Sequence, residues 1–130
     1  MNSYVDIDFY NQYSGLIDVD NLERLLSKGS EMVDILTDNH IQHNSELSYI
    51  DNFNKLNKRQ QKIIKEVVCE LIDYQFENKE IITSNYSSYK INGLDVTFDK
   101  TKLSKHNNIY ISNKSYDKLY STGLIITVLR

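Results

Sequence analysis

The chain has no proline, no tryptophan, one cysteine and four glycines in 130 residues. A single cysteine excludes an internal disulfide and fits a reducing cytoplasm. Four glycines, each accounted for by a turn or by packing, leave no room for a glycine-rich phosphate loop. No apolar run reaches membrane length, and no signal peptide precedes the first periodic segment. The Asn-x-Ser sequons at Asn85 and Asn113 are therefore read as chance. Basic charge is also short. The net charge is −3 and the pI about 5.6, which argues against a groove that grips phosphate. Such a balance still allows DNA to slide past. Tyr, Asn, Ile and Lys abound, a bias that an AT-rich genome produces without any structural cause.

What the chain does have is one long amphipathic stretch. From Asn57 to Glu77 the residues Ile64, Val67, Val68, Leu71 and Gln75 fall on one helical face. Ile63, Ile72 and Phe76 widen that stripe, so the helix should touch more than one neighbour. Lys58, Arg59, Lys62, Lys65 and Glu66 lie mostly opposite. Asn57 is placed to cap the first turn. Twenty such residues span about 30 Å, enough to cross a small domain. Cys69, within the apolar run, reads as a small buried hydrophobe.

One domain is expected at this length, with a core large enough to stand without staples. Asp8 to Gly15 reads as a short helix stopped by a glycine, after which Leu16 and Ile17 enter the core. A second helix is expected from about Val19 to Thr37. Asp18 or Asp20 caps it, and Leu22, Leu25, Leu26, Gly29, Val33 and Leu36 are buried. A glycine inside a helix costs about 1 kcal/mol against alanine. Its place on the apolar face predicts a close helix crossing at Gly29. Residues 38–46 read as a loop, and Leu47 to Leu56 as a short helix with Tyr49, Ile50, Phe53 and Leu56 inward.

The period then changes. Glu80 to Ser84 reads as extended. Tyr86 to Lys90 and Leu94 to Asp99 flank Asn92-Gly93, the strongest short-range hairpin signal. A lone two-stranded hairpin is marginal in water, so this one needs further support. Residues 99–110 read as a polar loop. Ser112 or Asn113 caps a last helix over Lys114 to Ser121, with Tyr116, Leu119 and Tyr120 inward and Gly123 ending it. The run Leu124 to Leu129 is apolar and β-branched, and a free terminal run of that kind invites aggregation. Pairing with the hairpin or with another chain is the better reading. The fold class is thus mainly α: a small helical bundle, body about 8–78, with a β-hairpin at about 80–99 and a short helix and extended C-terminal segment at about 112–130.

No catalytic constellation accompanies this fold. His40 and His43 are three apart but lie in a loop without a third ligand, so a solvated pair outweighs a metal site. His106 reads as surface. The pairs Asp6/Asp8 and Asp18/Asp20 lack the glycine and glutamate of a calcium loop. The tyrosines are not interleaved with positive charge as single-strand stacking requires, and packing is the simpler role. No nucleophile elbow is present. No metal and no cofactor are expected.

The order of motifs is informative where each one alone is not. Phe9-Tyr10-x-x-Tyr13-x-Gly15 is followed by Leu22-x-x-Leu25-Leu26 and Ser30-x-x-Val33-Asp34-x-Leu36-Thr37. Ile64-Lys65-x-x-Val68-Cys69-Glu70 comes next, then an extended Ser84, the hairpin, and Leu119-x-x-Thr122-Gly123-Leu124. Over nearly its whole length the chain resembles the small head–tail connector (adaptor) proteins of tailed bacteriophages. That resemblance implies a non-enzymatic virion protein of the phage neck, made in the host cytoplasm. It implies a ring, usually of about twelve copies, in which each subunit meets the next by unlike surfaces. Its partners would be further copies of itself, the portal protein, and the next connector or tail-terminator protein. DNA would pass through the channel without specific binding, and no membrane is involved. The candidate contact residues are Tyr89, Ile91, Asn92, Gly93, Leu94 and Val96 in the hairpin. In the tail they are Leu124, Ile125, Ile126, Val128 and Leu129. The alternative expectation is a small DNA-binding regulator with a helix-turn-helix within residues 22–77, disfavoured by the absence of a basic recognition helix. A small enzyme ranks last, since it requires a pocket with a strongly perturbed titratable group.

Overall fold

The computed structural model describes residues 2–83, 88–91, 94–97 and 103–125. Among these, the elements run α1 (Ile7–Tyr13), α2 (Leu22–Leu36), α3 (Tyr49–Asn54), α4 (Lys58–Glu77), α5 (Lys79–Thr83), β1 (Ser88–Ile91), β2 (Leu94–Thr97), β3 (Lys105–His106), β4 (Ile109–Tyr110) and α6 (Asn113–Tyr120). The chain is mainly α, a small helical bundle with a two-stranded antiparallel hairpin, as its periodicity predicts.

Helix α4 is the centre. Asn57 and Gln60 form a reciprocal capping box: each side chain accepts from the other's backbone N–H, at 2.8 and 3.1 Å. Ile64, Val67, Val68, Cys69 and Leu71 are fully buried. The wide stripe meets α1, α2, α6 and β4. Cys69 is inert in this setting, because burial pushes its thiol up to about 12.

The α2–α4 crossing is close where the sequence predicts it. A Cβ placed on Gly29 would lie 2.8 Å from Ile72 Cγ2 and 3.2 Å from Val68 Cγ1. Both neighbours are β-branched and stiff, so they yield little. Gly29→Leu should therefore force the helices apart and destabilise the fold by about 2 kcal/mol, despite leucine's better helix propensity. Urea denaturation checks this, and an unchanged midpoint would show that the crossing is loose.

Several expectations need correction. The cap of α2 is Asn21, without a side-chain bond to the helix; neither Asp18 nor Asp20 serves. Leu25 is half-buried and not fully inside. Leu16 is 47 % exposed, so only Ile17 enters the core. Ile50 is 48 % and Tyr120 50 % exposed, each turned outward on a helix too short to bury more than one face. Of Glu80 to Ser84, read as extended for their Ile-Ile-Thr content, residues 80–83 are helical, and Ser84 falls outside the described residues. Asn78 ends α4, yet its carbonyl accepts from Ile82 N–H at 2.9 Å. The preceding helix supplies the nucleus, so a new turn costs little even for β-branched residues. The stretch read as a polar loop holds a second hairpin, β3 against β4. Asn107 and Asn108 take φ of 50° and 63°, the left-handed conformation that asparagine tolerates. Ile109 and Ile111 anchor it in the core. His106 is not a free surface residue; its ring stacks on Tyr116 at 3.7 Å.

Other expectations hold. Residues 38–46 form turns, with Asp38 and Asn39 left-handed behind α2. Gly15 and Gly123 follow α1 and α6 with φ of 60° and 78°. Ser112 caps α6 by accepting from Ser115 N–H.

Candidate functional site

The candidate contact residues lie in two places. In the first hairpin, β1 pairs β2 antiparallel, with Tyr89 opposite Val96 and Ile91 opposite Leu94. Asn92 and Gly93, between the strands, fall outside the described residues. Among the described residues the sheet has two strands and two open edges. Open edges are templates for further strand pairing.

The second place is the C-terminal end. Lys118 Nζ sits 3.1 Å from Glu66 and 2.6 Å from Glu70, which clamps α6 on α4. Ser115 Oγ donates to Glu70 at 2.7 Å, and the Tyr13 hydroxyl donates to the same carboxylate. Burial alone would raise the Glu70 carboxyl; the bonds from Lys118, Tyr13 and Ser115 outweigh it and hold it below the usual range. Burial likewise leads the rise of the Tyr13 phenol to about 12, reinforced by its bond to Glu70. Arg59 donates to the Ser121 carbonyl and hydroxyl, each at 3.2 Å, and Gln60 Nε2 to the Thr122 carbonyl at 3.0 Å. Leu124 and Ile125 then pack, half-buried, on the core. These two therefore serve their own fold at least in part. Ile126, Val128 and Leu129 fall outside the described residues.

The clamp carries a pH prediction. A carboxyl lowered in the folded state stabilises above its unfolded pKa, and that contribution fades as pH falls through the folded value. Lys118→Ala should cost about 1 kcal/mol at neutral pH, in keeping with a partly exposed pair. The gap to the parent should close below the ordinary carboxylate range, where Glu70 itself protonates. Thermal melts across acid pH read this directly; a gap that persists at low pH would mean that Lys118 acts by packing alone.

A polar network that sequence spacing gave no means of seeing ties the N-terminal segment to α2 and α3. Asp34, largely buried, accepts from the Tyr4 hydroxyl and from the Tyr49 hydroxyl at 2.8 Å. Gln42 Nε2 donates to the Tyr4 hydroxyl at 3.0 Å, and Asn52 Nδ2 to Gln42 Oε1 at 3.2 Å. The Tyr4 ring stacks between Tyr49 and Phe53, with centroids at 4.7 and 4.8 Å. Burial raises the Asp34 carboxyl, against the lowering effect of its two tyrosine donors. Every buried side-chain polar atom among the described residues has a partner. The network thus reads as a tie between elements.

Two of the hollows on the described surface bear on the site. A polar cleft of about 610 Å³ lies between the N-terminal segment, α3 and α4, lined by Asp6, Asp8, Glu23, Phe53, Gln61 and Lys65 among others. Asp6 is committed as the cap of α1, accepting from Phe9 N–H at 2.7 Å. A smaller apolar groove lies between α2 and α4. His40 Nδ1 meets the Thr37 carbonyl. No cluster of three metal-ligating side chains occurs among the described residues. No helix among them is long and apolar enough to cross a membrane.

Comparison with protein-family models, with curated proteins and with solved structures found no match.

Proposed function

We propose that this chain is a structural protein of a bacteriophage neck, a head–tail connector that works as a ring between portal and tail and acts without catalysis. The observation that carries the reading is the first hairpin, a two-stranded sheet with both edges unpaired among the described residues. Such a sheet is marginal alone and gains stability when a partner adds to it. The C-terminal run, apolar and of low charge in sequence, gives the subunit a second adhesive element. Neighbouring copies and the portal supply what both lack. The ordered motifs that resemble the connector family give the partner its kind. The acidic balance suits a wall that DNA crosses without sticking.

Incubation with the portal ring of the same virus, followed by electron microscopy, tests this. A ring of this chain seated on the portal face is the expected result. A folded chain that ignores the portal, or one that binds duplex DNA with steep salt dependence, would overturn the proposal.

A further inference from the structure

The apolar groove between α2 and α4 measures about 220 Å³ and is walled by Leu25, Met32, Ile72 and Phe76, with Gly29 alongside. It is smaller than the pockets that take drug-sized ligands, and it suits a few aliphatic side chains. Lys28 and Lys79 stand on its rim, and Lys79 Nζ lies 4.6 Å over the Phe76 ring. Their alkyl stems lengthen the apolar wall. The polar group at the wall, Gln75, already gives its amide to the Tyr110 carbonyl at 3.0 Å.

We infer that this groove receives the apolar segment Ile126–Leu129 of a second copy of the chain. The segment carries no charge before Arg130 and is β-branched. Its own groove is out of useful reach. Gln60 holds the Thr122 carbonyl, and Leu124 and Ile125 just beyond it pack on the core. Phe76 lies sixteen residues further along α4, about 24 Å down its axis. The groove also opens on a different side of α4 from Glu66 and Glu70, which hold α6, since 100° per residue sets Ile72 and Phe76 about 80° to 160° round the helix from them. Even if all of it were extended, the stretch from Thr122 to Leu129 would cover at most about 23 Å, and its part up to Ile125 is already held on the core. That is consumed in passing along and around the helix, with nothing left to lie in the groove. A neighbour's tail meets no such limit. The contact joins unlike surfaces of successive copies, which closes into a ring when the rotation allows. It deepens the neck-protein reading by naming the contact between subunits.

Disulfide trapping tests it in a Cys69→Ala background. Met32→Cys and Val128→Cys are made singly, with different tags, and together in one chain. Mixed single variants should cross-link at least about tenfold more than a control pair of Ile50→Cys with Val128→Cys, because docking raises the local thiol concentration. The double variant should give a ladder of linked chains. A double variant that closes on itself as a looped monomer would place the tail in its own groove and overturn the inference. Absence of any link above the control, in protein whose circular dichroism is unchanged, would overturn it too. Rings on the portal without this cross-link would sink the inference and leave the neck reading standing. Cross-linked chains that ignore the portal would do the reverse.

Discussion

Replacing Tyr10 with alanine should cost about 4 kcal/mol, the largest single effect expected in this chain. The side chain is fully buried. Its ring leaves a large cavity when removed, and such cavities collapse only in part. Its hydroxyl does two further things: it donates to Asp73 at 2.5 Å and accepts the Ile17 backbone N–H at 2.9 Å. Tyr10 thereby ties α1 to α4 and fixes the turn beyond Gly15. The melting temperature should fall by about 15 °C. Tyr10→Phe separates the contributions. It keeps the ring and orphans the Ile17 donor, at about 1.5 kcal/mol. If phenylalanine proves as costly as alanine, the hydroxyl and not the packing holds α1 in place.

Removing residues 126–130 should leave a folded body and weaken self-association at least about 100-fold, equivalent to about 2.7 kcal/mol. The truncation is placed after Ile125 because Leu124 and Ile125 pack on the core, and losing them would confuse folding with assembly. The α6 clamp through Arg59, Gln60 and Lys118 stays whole. Melting should move by no more than about 2 °C, while sedimentation shifts from large species to monomer. Undiminished assembly would remove the tail from the account and leave the hairpin to carry it.

Much of the helical body was legible in the sequence because its signals are local. The stripe of α4, its Asn57 cap and the glycine stops at Gly15 and Gly123 each follow from a few neighbouring residues. Gly29 pointed beyond its own helix, since a glycine on an apolar face has a cost that only a close neighbour repays, and Ile72 is that neighbour. The misses are equally physical. Ile81-Ile82-Thr83 has strand propensity, but a helix already formed at Asn78 extends cheaply into it. The hairpin at Asn107-Asn108 has strands of two residues each, too short to show alternation, although paired asparagines were a turn signal worth weighing. Ile50 and Tyr120 share the apolar character of their neighbours but fall on the outer face of short helices.

The interaction surfaces were legible only in outline. Asn92-Gly93 between alternating residues announces the hairpin, and its register pairs Tyr89 with Val96 and Ile91 with Leu94. The groove beside Gly29 had no such sign. Leu25, Met32 and Phe76 read as ordinary members of apolar stripes, and only the crossing of α2 over α4 leaves them half-covered. Asp34, Tyr4 and Tyr49 meet across thirty and fifteen residues of chain, a distance over which spacing carries no information.

Native mass spectrometry of the full chain at micromolar concentration tests the proposed self-association most directly. A closed oligomer of one defined copy number, lost on truncation after Ile125, is the expected result. A strictly monomeric chain, stable and folded at every concentration and unchanged by that truncation, would contradict it.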